Sequence, residues 1–98
     1  MALAVPDPGY TPTIGTCLTR AVELWGDRDF IVLPDRRITF ADAEAASRRL
    51  GKELLASGVG KGTRVGLFDT YSTEWVIASL AITRIGALAM PFSSIYRP

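Results

Sequence analysis

A chain of 98 residues, 48% of them apolar, with a formal charge of +1 and a mean hydropathy of +0.21, has room for one modest core and is too apolar for a disordered tail. Its near-neutral balance supplies no field that would gather nucleic acid or an anionic membrane. The chain has a single cysteine, Cys17, and no histidine, which excludes a disulfide framework, a multi-thiolate metal site, the Ser-His-Asp triad and the Cys-His pair.

Residues 1–13 read as an extended arm, because Pro6, Pro8 and Pro12 block helix and Pro8-Gly9 is turn chemistry. A helical period follows from Ile14 to about Trp25, with Leu18, Ala21, Val22 and Trp25 on one side, and Gly26-Asp27 ends it. Cys17 falls on this helix among core-type neighbours and is expected to be buried, inert packing. Phe30 to Leu33 is a β-type run, Pro34-Asp35 a turn, and Arg36 to Thr39 the returning strand of a hairpin.

Thr39, with Asp42 three residues on, predicts a capped helix from Phe40 to about Ser57. Ala43, Ala46, Leu50 and Leu54 share its apolar face. Glu44, Arg48 and Lys52 lie four apart on another face, where Glu44 and Arg48 are expected to pair. Arg48, Arg49 and Lys52 together suggest an anion patch, but a solvated helix surface is the ordinary meaning of such a run and is the expectation here. Gly58 suits the left-handed position that closes the helix.

Val65 to Phe68 is predicted as a strand, Thr73 to about Ile85 as a helix capped by Ser72 or Thr73, and Ala87 to Met90 as a second strand ended by Pro91. Glu74 suits the positive end of that helix. Strand, helix and strand within 30 residues make a βαβ unit with parallel strands and a right-handed crossover. Both strands are apolar with little alternation, as in a sheet covered on both faces. Trp75, Val76, Ile77, Leu80, Ile82 and Ile85 spread around most of the helix, which therefore expects burial on most sides.

Charge is lopsided: 14 of the 21 charged residues lie between Asp27 and Arg64, and the last 29 positions hold only Glu74, Arg84 and Arg97. The stretch Trp75 to Phe92 is apolar at 13 of 18 positions, but Arg84, Gly86 and Pro91 interrupt it, so it does not read as a membrane span. The N-terminus lacks the basic region of a signal peptide, and a cytoplasmic chain is expected.

Gly58-Val59-Gly60-Lys61-Gly62-Thr63 invites a phosphate-binding reading and fails it. A P-loop requires Ser or Thr after the Lys, and Lys61 is followed by Gly62. The dinucleotide fingerprint requires a third glycine where Thr63 or Val65 stands. The segment also follows a helix and precedes a strand, so it presents the negative end of a helix. A helix stop and a tight turn are expected instead. Better placed for a ligand are Asp69-Thr70-Tyr71-Ser72 and Phe92-Ser93-Ser94, at the carboxyl ends of the two strands, where ligands of open α/β sheets sit. Polar residues at such turns serve as caps more often than as ligands, and Asp69 stays open between the two roles.

The order of these segments resembles the start of the adenylate-forming enzymes, the AMP-dependent synthetases and ligases that include acyl-CoA synthetases. Ile38-Thr39-Phe40-Ala41-Asp42-Ala43 is similar to the family's L-T-Y-x-E-L, with Phe for Tyr and Asp-Ala for Glu-Leu. The Gly58 to Val65 stretch resembles G-V-x-K-G-D-R-V, and Ser72-Thr73-Glu74-Trp75 resembles N-S-x-E-W/F. Gly86-Ala87-Leu88-Ala89-Met90-Pro91 resembles G-A-x-x-x-P, and Gly26-Asp27-Arg28 stands before the hairpin as expected. The match runs from about Thr13 to Pro98, roughly the first fifth of a typical member.

The resemblance implies an α/β fold: an arm and helix, a β-hairpin, an amphipathic helix and a parallel βαβ unit, together an incomplete part of a larger adenylate-forming domain. Residues 14–98 would be a partial N-terminal subdomain of that AMP-binding ligase domain. It implies ATP-dependent acyl-adenylate formation from a carboxylic acid, followed by transfer of the acyl group to a thiol. Coenzyme A is favoured as acceptor by the Arg84-Ile85-Gly86 and Ser93 to Pro98 wording. ATP, Mg2+ and coenzyme A are implied for the full-length family and none for this segment. The family's Ser/Thr/Gly-rich loop, Y-G-x-T-E element, ribose-binding Asp and C-terminal Lys do not occur here, so no catalytic, cofactor-binding or metal-binding residue is carried over.

The expectation is an N-terminal fragment of a carboxylic acid–thiol ligase, inactive alone, whose residues 73–92 are covered by the remainder of the ligase domain or by a dimer partner. A stand-alone interaction module that buries its apolar helix on a partner is the alternative. An independent nucleotide-binding or flavodoxin-like domain is disfavoured by the missing phosphate loop after Val65 to Phe68. A chain that stops just after a strand is expected to be insoluble or molten in isolation.

Overall fold

A computed structural model describes Asp7, residues 9–68 and residues 72–92. The elements in chain order are α1 (Ile14–Trp25), β1 (Asp29–Leu33), β2 (Arg36–Thr39), α2 (Phe40–Ala56), β3 (Arg64–Phe68), α3 (Thr73–Arg84) and β4 (Leu88–Phe92). The arm from Gly9 to Thr13 carries neither helix nor strand. Pro6 and Pro8 lie outside the described residues.

Each helix begins where a short polar side chain replaces a missing backbone partner. Thr13 and Thr16 form a reciprocal box at the start of α1, with the Thr16 N–H donating to Thr13 Oγ1 at 3.1 Å and the Thr13 N–H to Thr16 Oγ1 at 2.8 Å. Thr39 and Asp42 do the same for α2. Ser72 accepts the Trp75 N–H at 3.1 Å at the start of α3.

Two of the helices end alike. After α2, Gly58 at φ +94° lets its own N–H reach Leu55 O and the Val59 N–H reach Leu54 O. After α3, Gly86 at φ +83° lets its N–H reach Thr83 O and the Ala87 N–H reach Ile82 O. Both are paired terminal bonds of the Schellman type, which need a residue free to take positive φ. Gly26 behaves differently. It stays right-handed at φ −49°, and the turn it opens carries the Phe40 and Ala41 amides back to Arg28 O and Gly26 O.

The strands form two separate pairs. β1 and β2 are antiparallel, with Leu33 opposite Arg36 and Ile31 opposite Ile38. The register shifts between Asp29 and Ile31, so Phe30 is an extra residue on β1. Its ring lies 4.8 Å from that of Phe40, which in turn lies 6.0 Å from Trp25. β3 and β4 are parallel and in step, from Arg64 beside Leu88 to Phe68 beside Phe92, with α3 as their connection.

Pro91 does not end β4. The Leu88 N–H donates to Thr63 O at 2.7 Å, so alternation turns the nitrogens of Met90 and Phe92 toward β3 and that of Pro91 away from it. A proline is tolerated there because no ladder donor is lost.

The core lies where α2 crosses α3 and α1. Leu18, Ala43, Ala81, Ile82 and Ala87 are its buried apolar residues, with Ile82 the largest that is fully enclosed. On α2 the buried positions are Ala43, Glu44, Ser47 and Gly51, while Ala46, Leu50 and Leu54 are half-buried. The expected apolar face is therefore rotated toward a stripe of smaller residues. A Cβ on Gly51 would stand 3.2 Å from Ile85 Cγ2, so glycine sets the closeness of this crossing.

On α3, Thr73, Ala81 and Ile82 are buried and Glu74 is exposed. The other residues are half-buried, short of the burial on most sides that its composition calls for. Among the described residues no helix is long and apolar enough to cross a membrane.

Candidate functional site

Parallel strands in step bring Phe68 and Phe92 side by side at the carboxyl edge of the β3–β4 pair, next to the N-terminus of α3. This is the position that open α/β sheets use for ligands. Ser72 is spent as a cap there, as the capping reading expects. Thr73 Oγ1 is buried with no hydrogen-bond partner among the described residues. Asp69, Thr70, Tyr71, Ser93 and Ser94 lie outside the described residues.

Glu74, in the first turn of α3, is exposed and takes a hydrogen bond from Arg36 Nη1 at 2.7 Å. Its carboxyl is held below the usual value, first by its own backbone N–H and then by the Arg36 guanidinium. That contact ties the hairpin to α3 across 38 residues of sequence.

The glycine segment spends its amides on its own chain. Gly58 and Val59 donate to the end of α2, Gly60 donates to Thr63 Oγ1, Thr63 to Gly60 O, and Gly62 to Gly86 O at 3.0 Å. Gly62 sits at φ +82°. A Cβ on Gly86 would meet Lys61 Cα, Cβ and Cγ at 3.6 Å, so the two turns lie against one another at the amino edge of the pair. This is a turn that sets strand register, as the failed phosphate motifs anticipate, and its donors do not form a cradle for an anion.

Sequence reasoning missed the cluster between α2 and α3. Arg84 Nη1 donates to Ser47 Oγ at 3.0 Å and to Glu44 O at 3.2 Å, and Arg84 Nη2 reaches Glu44 Oε1 at 3.3 Å. Arg48 Nη2 meets the same carboxylate oxygen at 2.6 Å, the one pair of this cluster that the spacing of four predicts. Glu44 is only 8% exposed, which corrects the expectation that it belongs to a solvated face with Arg48 and Lys52. The reason is Arg84: a guanidinium with five donors, brought in by α3, replaces the water Glu44 would otherwise keep. The signal in the sequence was Arg84, the single cation of a mostly apolar helix, which needs an acceptor where that helix is packed.

Cys17 is likewise corrected. It is exposed, because α1 turns Leu18 to the core and leaves Cys17 on the flank that faces the arm. The Tyr10 hydroxyl donates to its Sγ at 3.8 Å, and that bond raises the Tyr10 pKa by favouring the protonated phenol. Beside them lies a cleft of about 490 Å³ lined by Gly9, Tyr10, Thr16, Thr19, Arg20 and Glu23. Its two charges neutralise each other, with Arg20 Nη1 3.1 Å from Glu23 Oε2.

The described residues do not fit a nucleotide triphosphate or its metal. No three Asp, Glu, Cys or His side chains gather among them, the glycine amides are taken, and Arg84 is consumed by Glu44 and Ser47.

A family model described as AMP-binding enzyme matches residues 18–98. The medium/long-chain-fatty-acid–CoA ligase FadD6 of Mycobacterium tuberculosis is 37% identical over 82 residues, covering 84% of this chain and 14% of the relative. The 3-hydroxybenzoate–CoA/4-hydroxybenzoate–CoA ligase of Thauera aromatica is 42% identical over 65 residues, covering 66% of this chain and 12% of the relative. A solved Mycobacterium tuberculosis fatty acyl CoA synthetase superposes with a TM-score of 0.80 at 29% identity, covering 86% of this chain and 17% of that one. The chain thus spans about a seventh of the length of these relatives, within an arrangement of helix, hairpin, helix and βαβ unit that it shares with the solved structure.

Proposed function

The chain belongs to the AMP-binding enzyme family, and from that premise we propose that it is the N-terminal portion of a longer ATP-dependent ligase that joins a carboxylic acid to a thiol through an acyl-adenylate. Residues 1–13 would form its arm and residues 14–98 part of its first subdomain. The observation that carries this reading is the open face of the β3–β4 pair. Alternation in the paired register places Arg64, Gly66, Phe68, Leu88, Met90 and Phe92 on one side. Phe68 is 67% exposed, Leu88 52%, Met90 40% and Phe92 47%. A parallel sheet is ordinarily covered on both faces, and among the described residues α3 packs on one. The remainder of the ligase domain is the cover that the family match supports.

The segment's part in the reaction is that of scaffold. Because the polar groups of the described residues do not fit ATP or Mg2+, no step of the adenylation is assigned to their side chains. Coenzyme A is the proposed acceptor, supported by the names of two relatives as CoA ligases. Those same names, one an aliphatic and one an aromatic acid ligase, support an acyl pocket built from other segments of the polypeptide. The cytoplasm is the proposed compartment, where ATP and coenzyme A are available.

The reading is tested on the reading frame and on chemistry. The frame is expected to continue past Pro98 into a Ser/Thr/Gly-rich loop containing Lys. The encoded polypeptide is expected to exchange pyrophosphate with ATP only when a carboxylic acid is present, whereas the 98-residue chain shows no exchange with fatty or aromatic acids. A stop codon after Pro98, with the chain forming a defined dimer in sedimentation, would replace this reading with that of an interaction module.

A further inference from the structure

We draw no further inference here: the strongest candidate, the open apolar face of the β3–β4 pair formed by Phe68, Leu88, Met90 and Phe92, carries nothing beyond the cover already proposed, because nothing in the structure shows what seats on it.

Discussion

Helices α2 and α3 meet through small side chains and one shared carboxylate, whereas strands β3 and β4 turn four large apolar side chains to solvent. At the helical crossing, Ala43, Ser47, Gly51 and Ala81 let the backbones approach, and Glu44 finds Arg84, Arg48 and Ser47 nearby. Every polar group named there has its partner within the chain. The strand pair is different. Its inner face lies against α3, and on its outer face the Phe92 ring lies beside Gly66, where a Cβ would stand 3.3 Å from Phe92 Cε2. The contrast separates what these residues stabilise by themselves from what they prepare for another surface.

The comparison breaks most sharply at Arg84. Replacing it, as Arg84→Met, removes the Nη2 donor from the carboxylate of Glu44, whose side chain is 11% exposed, removes the Nη1 donor from Ser47 Oγ and the Glu44 carbonyl, and leaves Arg48 as the charged partner. Breaking a buried pair in this way costs about 3 kcal/mol. The helical crossing is expected to lose measurable amide protection at Ala81 and Ile82. The double variant Glu44→Leu with Arg84→Met, which removes both charges together, is expected to recover most of that loss. If the single variant exchanges like the parent, the cluster is ornamental and the crossing rests on apolar contacts alone.

The outer sheet face gives the opposite result. Leu88→Lys with Met90→Lys changes side chains that are 52% and 40% exposed, so the helices should be indifferent to it, within about 0.5 kcal/mol. Binding of a hydrophobic dye and concentration-dependent association are both expected to fall. Unchanged dye binding would place the exposed apolar surface elsewhere, around Leu24, Trp25 and Val32.

The smallest expected effect lies at Glu74. Its carboxyl pKa is lower in the folded chain than in the unfolded one, so the fold favours the ionised form. The resulting stabilisation is present above the ordinary Glu value and disappears as pH falls through the lowered one. Because its own backbone N–H is the larger cause, Arg36→Ala is expected to return the Glu74 titration only part of the way, as followed by carboxyl carbon NMR. A full return would make Arg36 the dominant cause.

Much of the frame was legible from local chemistry. Thr39 with Asp42, Gly58 after an amphipathic run, and Ser72 before Glu74 are caps whose effects extend over only a few bonds, and the sequence displays them directly. The parallel pairing of β3 with β4 was legible because a single helix separates two apolar runs. What escaped reading depends on partners distant in sequence. Glu44 and Arg84 stand 40 residues apart, and neither declares the other. The approach of Lys61 to Gly86 and the bulge at Phe30 are set by how turns and rings meet after folding. Cys17 was misread because a helix period gives faces but not which flank an irregular arm will follow. Pro91 reads as a strand end because proline lacks a donor, yet only the direction of its nitrogen decides whether a donor is missed. The candidate site at the carboxyl edge was located by topology, while Asp69 and Ser93 fall outside the described residues.

The division between a closed helical crossing and an open sheet is tested most directly by amide hydrogen exchange on the 98-residue chain, read together with its thermal melt. The expected result is slow exchange confined to the crossing, at Ser47 to Gly51 and Ala81 to Ile85. Arg64, Gly66 and Phe68 should exchange fast, and no sharp cooperative transition should appear. A soluble monomer whose β3 and β4 amides are as slow as those of the helices, melting in one sharp step, would contradict it.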